Sequence, residues 1–289
     1  MSLRLSARHY RRAMPAPTDD VYGEAVAAAE AAEAAAARAG VVVRSLHSIP
    51  DLEKARVVFD TTWPLPGGGT TMEMNLLRAL EHSECYVSAA FAVEDPDGDA
   101  VGAALAFLGR HEGEGGIREL HLHSHMAAAL PLWRDRHIGT ALKLHQRAWA
   151  IRHGIAVIAW TFDPLVRRNA RFNLVKLGAE VSEYLPDFYG EMTDAINAGD
   201  RTDRLMAWWV VDSERARVAA RGGLTPIAAT DGARVVPLPD DIVAIRAADP
   251  EEALRWRLDV RAAMVEALSE GYTVGGVDSD GSYVLLPPG

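Results

Sequence analysis

The chain has 289 residues, 49% hydrophobic and 24% charged, which is the composition of a folded globular protein and not of a disordered or disulfide-rich one. Its 40 acidic and 30 basic residues give a formal net charge of -10, which argues against nucleic acid and anionic membranes as main partners. Cys85 is the single cysteine, so an intramolecular disulfide and a cysteine-based metal centre are excluded. No apolar run reaches the roughly 18–20 residues that span a bilayer, and we expect a cytoplasmic protein.

Helical and strand patterns alternate over the first half of the chain. Residues 1–40 are expected to form a leader and an Ala-rich helix, because Ala and Glu favour helix and the following Gly can end it. A β-branched run at 41–46 predicts a strand, and apolar spacing predicts helices around 51–61 and over 70–84. Apolar runs separated by turn sequences then predict a meander of three antiparallel strands, at 86–93, 100–108 and about 117–129.

The next part of the chain predicts an α/β arrangement. The expected order is helix 139–153, strand 155–162, helix 165–177, strand 181–189 and strand 205–211. The strand–helix–strand passage over 120–162 requires a parallel neighbour reached by a right-handed crossover. We therefore expect an α/β domain with a mixed sheet over residues 41–213.

Residues 222–289 form a C-terminal extension with its own pattern. Strands are expected at 234–238, 242–246, 272–277 and 282–286, and a helix from Asp249 to about Glu270. One apolar face of that helix consists of Leu254, Leu258, Val265 and Leu268. This face has to be buried, so we expect the extension to dock on the domain at 41–213, with a dimer interface as the alternative. The helix also carries three arginines that either face an acidic substrate or lie on a solvated surface: Arg255, Arg257 and Arg261.

A basic turn between a predicted strand and a predicted helix is the part of the sequence that points to chemistry. Arg134 and Arg136 supply positive charge, and the helix starts near Gly139. Free backbone N–H groups and the helix dipole make such a turn suited to a pyrophosphate. A surface turn with solvated arginines is the alternative. The predicted phosphate-binding segment consists of Ala129, Leu130, Arg134, Asp135, Arg136, His137, Ile138, Gly139, Thr140 and Ala141.

This segment resembles the acyl-CoA signature of the GNAT superfamily of N-acyltransferases, Arg/Gln-x-x-Gly-x-Gly/Ala. Arg134 and Gly139 fall in their slots, whereas His137 stands where the first Gly is usual. The shifted register Arg136-x-x-Gly139-x-Ala141 matches the formula but fits the flanking residues less well, and we prefer the first register.

A second segment resembles the superfamily's Asn-x-x-Ala-x-x-x-Tyr-x-Lys-x-Gly pattern. Ala170 and Lys176 fall in their slots, while the Asn slot holds Arg167 and Asn169 lies two residues away. Leu174 occupies the slot of the Tyr that protonates the departing thiolate in many relatives. Other short segments of the sequence resemble those of a bacterial branch of the superfamily whose members are labelled as predicted acetyltransferases. Some of these relatives are associated with N-succinylation of amino acids.

The resemblance implies a GNAT-like fold, α/β of the α+β type, with a mixed, mostly antiparallel sheet flanked by helices and a small C-terminal α/β extension. It implies acetyl-CoA as co-substrate, with succinyl-CoA as an alternative, a small amine such as an amino acid as acceptor, direct attack in a ternary complex, and no metal. Asn169 would contact the CoA. A non-catalytic acyl-CoA-binding protein of the same fold and a homodimer stay open.

Transfer of an acyl group to an amine needs a group that accepts the amine proton. His121, His123 and His125 alternate, so they share one face of a strand. His125 is nearest the acyl-binding end and is the candidate base or proton relay, the alternatives being a solvated polar face or a metal site.

Three further residues are catalytic candidates. Asp163 ends a predicted strand and either helps to deprotonate the amine or caps the next helix. Tyr184 and Tyr189 are each expected on the strand at 181–189, where either could replace the acid missing at Leu174 or be an ordinary half-buried tyrosine.

Overall fold

The computed structural model describes residues 3–4, 19–190 and 200–289. The described residues form two compact units. The first unit contains residues 19–159 and 210–212, and the second contains residues 3–4, 160–190, 200–209 and 213–289. The predicted C-terminal extension at 222–289 therefore shares a unit with residues 160–190 and 200–209.

The strands and helices of the described residues are, in chain order, β1 (Leu3–Arg4), α1 (Asp19–Ala39), β2 (Val41–Ser45), α2 (Ile49–Thr62), α3 (Met74–His82), β3 (Tyr86–Ala92), β4 (Ala100–Glu112), β5 (Arg118–Ala129), α4 (Ile138–Arg152), β6 (Val157–Phe162), α5 (Arg167–Arg171), β7 (Glu180–Leu185), β8 (Arg204–Val210), α6 (Glu214–Ala220), β9 (Arg234–Val236), α7 (Ile242–Ala248), α8 (Pro250–Ser269), β10 (Thr273–Val277) and β11 (Tyr283–Leu286). Helices flank a mixed and mostly antiparallel sheet, which confirms the predicted fold class.

The sheet of the first unit has the strand order β6-β5-β4-β3-β2. Strands β2 to β5 are antiparallel neighbours, which confirms the predicted meander. Strand β6 is parallel to β5, with Leu122 opposite Ile158 and His123 opposite Ala159, which confirms the predicted crossover. The pairing of β5 with β4 shifts register by one residue. Leu105 lies opposite Met126, whereas the next residue, Ala106, lies opposite Ser124. This shift leaves His125 as the extra residue of a β-bulge.

Two layers of helices complete the first unit. Helix α1 packs on α4 through small buried side chains, namely Ala28, Ala32, Ala35, Ala36 and Ala39. Because alanine adds little bulk, the two helices can approach closely. Helices α2 and α3 contribute to a core cluster with β3, β4 and β5, in which Leu52, Phe59, Leu77, Phe91 and Leu105 are fully buried.

In the second unit β7 is antiparallel to β8 and to β1, and β11 lies between β10 and β9 in a small antiparallel sheet. The expected strand at 242–246 is wrong, because these residues begin helix α7. Asp241 caps that helix by accepting hydrogen bonds from the N–H groups of Val243 and Ala244, at 3.0 and 3.1 Å. The cap outweighs the β preference of Ile and Val at this site.

Two other predictions change in extent. The strand expected at 181–189 ends at Leu185, so Tyr189 lies in the following turn. The helix expected at 165–177 consists of α5 and a π-helical turn, Phe172–Lys176. Helix α6, which the sequence analysis did not predict, begins after Ser213, whose side chain accepts a hydrogen bond from Ala216 N.

The apolar face predicted for the extension's helix is wrong for Leu254 and Leu258, whereas Leu268 is buried as predicted. Leu254 and Leu258 are 40% and 43% exposed. The buried face of α8 is instead formed by Ala253, Arg257, Val260, Met264, Ala267 and Leu268. The face contains an arginine because carboxylates of the same unit neutralise it, as described below. None of the helices in the described ranges is long and apolar enough to cross a bilayer.

Candidate active site

The predicted phosphate-binding segment forms a short turn between β5 and α4 in the first unit. After Ala129 the chain makes one 3-10 turn, Pro131–Trp133, and α4 begins at Ile138. Asp135 and His137 adopt left-handed backbone conformations, with φ of 61° and 63°. Two such residues within three positions fold the backbone tightly back toward the start of the helix.

The left-handed conformation of His137 bears on the choice between the two registers of the motif. Glycine adopts a positive φ without strain, whereas a residue with a Cβ pays roughly 1–2 kcal/mol. His137 therefore has the backbone conformation for which a Gly is the natural residue. This supports the register that begins at Arg134 and places His137 in the slot of the first Gly.

The first turn of α4 offers backbone donors to a ligand. The first intrahelical bond runs from Ala141 N to His137 O, at 3.1 Å. The N–H groups of Ile138, Gly139 and Thr140 precede it and have no acceptor within an α-helix. The Ile138 side chain is apolar and buried, so this residue can offer a ligand only its backbone N–H. Together with the helix dipole, the donors suit an anionic group.

Close packing against β4 fixes the position of this turn. A Cβ built on Gly102 would lie 2.6 Å from Ile138 Cγ2 and 3.0 Å from the carbonyl oxygen of Ala128. Any larger residue at 102 would have to push the start of α4 away from the sheet. The turn is therefore held by the core of the unit.

Arg134 and Arg136 are exposed at the turn. The Arg136 guanidinium carbon lies 5.1 Å from the centre of the Trp133 ring, which orients the side chain along the surface. Within the described ranges neither arginine has a carboxylate in ion-pair distance. Their positive charge is therefore available to a ligand.

The three alternating histidines lie in one row on β5, which confirms their predicted shared face. Ring centres of successive histidines are 6.4 Å apart for His121 and His123 and 6.3 Å apart for His123 and His125. His111 of β4 extends the row, 5.4 Å from His121. Burial lowers the pKa of His121 and of His123 to about 4, and it also lowers the pKa of His125. The row is therefore neutral at pH 7, so each imidazole has a nitrogen that can accept a proton.

A buried lysine next to the bulge is a residue that the sequence analysis did not single out for function. Lys143 Nζ donates to Ser124 Oγ at 2.8 Å and to Gln146 Oε1 at 3.2 Å. Burial lowers the pKa of Lys143 to about 7. The contact ties α4 to β5 at the residue that precedes His125.

The structure places Asp163 in a network of ion pairs within the second unit. Arg257 Nη1 and Nη2 donate to the two carboxylate oxygens at 2.6 and 2.9 Å, and Arg246 Nη2 lies 3.2 Å from Oδ2. Oδ1 also accepts from Leu165 N at 2.9 Å, but α5 begins only at Arg167, after Val166, so the alternative prediction that Asp163 caps this helix is wrong. Burial raises the pKa of Asp163, but the hydrogen bonds from Arg257 outweigh it and leave the pKa below its usual value. Such a carboxylate accepts a proton poorly.

The two tyrosine candidates have different surroundings in the second unit. Tyr184 is buried and donates to Asp203 Oδ2 at 2.6 Å, and burial followed by this hydrogen bond raises its pKa. Tyr189 is 40% exposed, and its hydroxyl oxygen lies 2.9 Å from Thr161 Oγ1. Tyr189 is therefore the more accessible proton donor. Asn169 lies on α5 in the same unit, where its N–H donates to Val166 O at 2.8 Å.

Within the ranges that the structure describes, no group of three or more His, Cys, Asp or Glu side chains is arranged to hold a metal ion. These ranges include the three alternating histidines of β5.

Comparisons with known proteins find likenesses among solved structures. No protein-family model matches the chain, and no curated protein matches it. The chain is similar to Arabidopsis thaliana NAA60 in complex with acetyl-CoA, at 14% identity and a TM-score of 0.46 over 59% of this chain and 99% of that one. It is similar to the ribosomal-protein-S18-alanine N-acetyltransferase from Escherichia coli, at 13% identity and a TM-score of 0.44 over 60% and 95%. It is also similar to an N-acetyltransferase from Staphylococcus aureus Mu50, at 11% identity and a TM-score of 0.44 over 60% and 99%.

Proposed function

We propose that the protein is an acyl-CoA-dependent N-acyltransferase of the GNAT type. It transfers an acetyl group, or alternatively a succinyl group, to the amine of a small molecule such as an amino acid. The observation that carries this proposal is the turn before α4, where a left-handed His137, the free N–H groups of a helix start and two exposed arginines meet. The match of Arg134 and Gly139 to the acyl-CoA signature adds to it.

In this proposal the N–H groups of Ile138, Gly139 and Thr140 bind the pyrophosphate of CoA, and Arg134 and Arg136 neutralise its charge. The acyl arm then runs back along β5. The described pairing of β5 with β6 ends at His123, whereas β5 continues to Ala129. Backbone groups at 126–129 can therefore pair with an extended ligand and donate to the oxyanion of the tetrahedral intermediate, whereas Leu130 N already donates to Val101 O at 2.9 Å.

His125 is the residue that we propose to accept the amine proton, directly or through water. It is the bulged residue of β5, it keeps solvent access, and its lowered pKa leaves it neutral at pH 7. Tyr189 is the proposed donor of a proton to the thiolate, in place of the Tyr that Leu174 replaces. Asp163 fits the base role less well, because its ion pairs with two arginines lower the affinity of its carboxylate for a proton.

A substitution tests the assignment of the base. His125→Ala should lower kcat by about 10²–10⁴-fold while the affinity for CoA stays unchanged, since the imidazole acts on the amine. His121→Ala, four residues away in the same row, is the matched control and should change kcat much less. An unchanged kcat in His125→Ala would contradict the assignment and leave water as the proton acceptor.

A non-catalytic acyl-CoA-binding protein is the second candidate, favoured by the fully buried Leu174 at the position of the usual acid. A thiol-release assay with acetyl-CoA and succinyl-CoA against a panel of amino acids separates the two. Release that depends on one amine establishes the transferase. Binding of CoA in calorimetry without release on any amine favours the second candidate, and the absence of binding contradicts both.

A further inference from the structure

The second unit contains a partly exposed pair of hydroxyl groups from separate parts of the chain. Thr161 lies on β6 and Tyr189 follows β7, and their hydroxyl oxygens are 2.9 Å apart. The Arg204 guanidinium carbon lies 5.3 Å from the centre of the Tyr189 ring. Because the two residues belong to different segments, their distance depends on how both segments are held.

The segment that follows Thr161 is held by the C-terminal part of the chain. Asp163, two residues later, accepts two hydrogen bonds from Arg257 of α8, at 2.6 and 2.9 Å. The Tyr283 hydroxyl of β11 donates to the carbonyl oxygen of Pro164 at 3.0 Å. Arg257 is 1% exposed, so water does not weaken its ion pair with Asp163.

The segment that carries Tyr189 is held by the same helix. Tyr189 N donates to Thr202 Oγ1 at 3.1 Å, and Phe188 N donates to Thr202 O at 3.0 Å. Thr202 itself lies between two carboxylates that bind α8. Arg257 Nη2 lies 2.7 Å from Asp200 Oδ2, and Arg261 Nε donates to Asp203 Oδ2 at 2.8 Å. One arginine, Arg257, therefore contacts both segments at once.

We propose that Arg257 is a positioning residue, which sets the hydroxyl pair of Thr161 and Tyr189 for the proton donation proposed for Tyr189. The inference rests on the proposed function for its chemistry. It rests on the ion pairs of Arg257 with Asp163 and Asp200 for its geometry. The C-terminal helix α8 thus acts on Tyr189 without touching it.

Arg257→Lys is the variant that tests this role. Lysine keeps the positive charge but cannot bind both oxygens of Asp163 and reach Asp200 together. We expect kcat to fall about tenfold while the KM for acyl-CoA stays unchanged. If Arg257 acts through Tyr189, adding Arg257→Lys to the variant Tyr189→Phe should lower kcat little further, because both substitutions remove the same function. Equal losses in both backgrounds would show a merely structural role and would overturn the proposal.

Hydrogen exchange of the backbone gives a readout that does not depend on activity. In Arg257→Lys the N–H groups of Phe188 and Tyr189 should exchange at least tenfold faster, since their acceptor Thr202 is less firmly held. Arg255→Gln is the matched control, on the same helix but with its side chain 63% exposed, and should leave exchange and kcat unchanged. Unchanged exchange in Arg257→Lys overturns the positioning role even if the enzyme proves active. Faster exchange in a protein without acyl transfer leaves the geometry intact and contradicts the proposed function instead.

If Arg257→Lys fails to fold, Arg261→Gln gives the same test with a smaller change. It removes only the contacts with Asp203 and Asp187, both next to the segment that holds Tyr189. The expected results are a smaller loss of kcat and faster exchange at Tyr189. The same two outcomes, additive losses or unchanged exchange, would contradict the role of the helix.

Discussion

The turn before α4 and the buried face of α8 each carry arginines, and the two regions use them in opposite ways. Arg134 and Arg136 are exposed, and no carboxylate within the described ranges pairs with them. Arg257 is 1% exposed and forms ion pairs with Asp163 and Asp200, at 2.6 and 2.7 Å. A charge in ion-pair contact with buried carboxylates holds the fold together, whereas an exposed charge beside free N–H groups is available to a ligand.

The role of each arginine follows from its neighbours and not from its own sequence position. Removing one partner of a buried pair leaves the other charge uncompensated, which costs far more than the pair contributes. Removing an exposed arginine changes folding stability little. Substitutions on the buried face of α8 should therefore lower the stability of the fold, whereas substitutions in the turn before α4 should lower the affinity for a ligand.

Arg257→Gln should produce the largest effect on stability. The substitution leaves Asp163 buried without its bidentate partner, and we expect a loss of about 3–5 kcal/mol in the free energy of unfolding. Urea denaturation followed by tryptophan fluorescence measures it. Arg134→Ala is the control and should cost less than about 0.5 kcal/mol. Equal losses of stability in the two variants would contradict the different roles assigned to Arg257 and Arg134.

The acid sensitivity of the two units should also differ. The pKa of His121 and of His123 is about 4 in the folded chain, against an ordinary value of 6.5. Between these values the unfolded chain binds more protons, so stability falls as the pH is lowered from 6.5 to 4. The expected loss is on the order of 1–2 kcal/mol for each histidine, after allowing for solvent screening.

The carboxylates of the second unit should change the stability of the protein in a lower pH range. The pKa values of Asp163 and Asp203 lie below the ordinary 3.8, so their contribution is complete above that pH and is lost only further down. Urea midpoints measured at intervals from pH 7 to 3 resolve the two windows. His123→Phe should flatten the upper one and leave the lower one in place. A midpoint that stays constant from pH 6.5 to 4 would contradict the assignment of the histidine row.

His137→Gly should produce the smallest change in the free energy of unfolding, and it tests the backbone strain assigned to the turn. Glycine relieves the cost of a positive φ, and we expect a gain of about 1 kcal/mol in unfolding free energy, partly offset by the added freedom of the unfolded chain. Thermal unfolding measures it. A clear loss of stability in His137→Gly would mean that the imidazole itself holds the turn.

Much of the fold could be predicted from the sequence because its signals are local. Alternating apolar strands, turn sequences and the strand–helix–strand passage define the meander and the parallel strand β6. The prediction of a strand at 242–246 is wrong, because Ile242 and Val243 favour a strand whereas one capping residue, Asp241, decides for the helix α7. The prediction for α8 relied on its leucines, whereas the buried face also contains alanines and an arginine.

The candidate site shows the same limit. The turn at 134–141 could be located because its residue types and spacing are characteristic. The partners of Asp163 could not, since Arg246 and Arg257 lie more than 80 residues further along the chain. One signal was available for Arg257, which shares a helical face with Ala253, Val260 and Met264. A charged residue within an otherwise apolar helical stripe indicates a buried partner.

Calorimetric titration with desulfo-CoA tests the central claim that the turn before α4 binds an acyl-CoA. The wild-type protein should bind, and Arg134→Ala should weaken binding by about 1–3 kcal/mol, the contribution of a charged hydrogen bond. Arg152→Ala, which removes an exposed arginine from the other end of the same helix, should bind as the wild type does. Unchanged affinity in both Arg134→Ala and Arg136→Ala would contradict the site, and no binding by the wild type would contradict the proposed function.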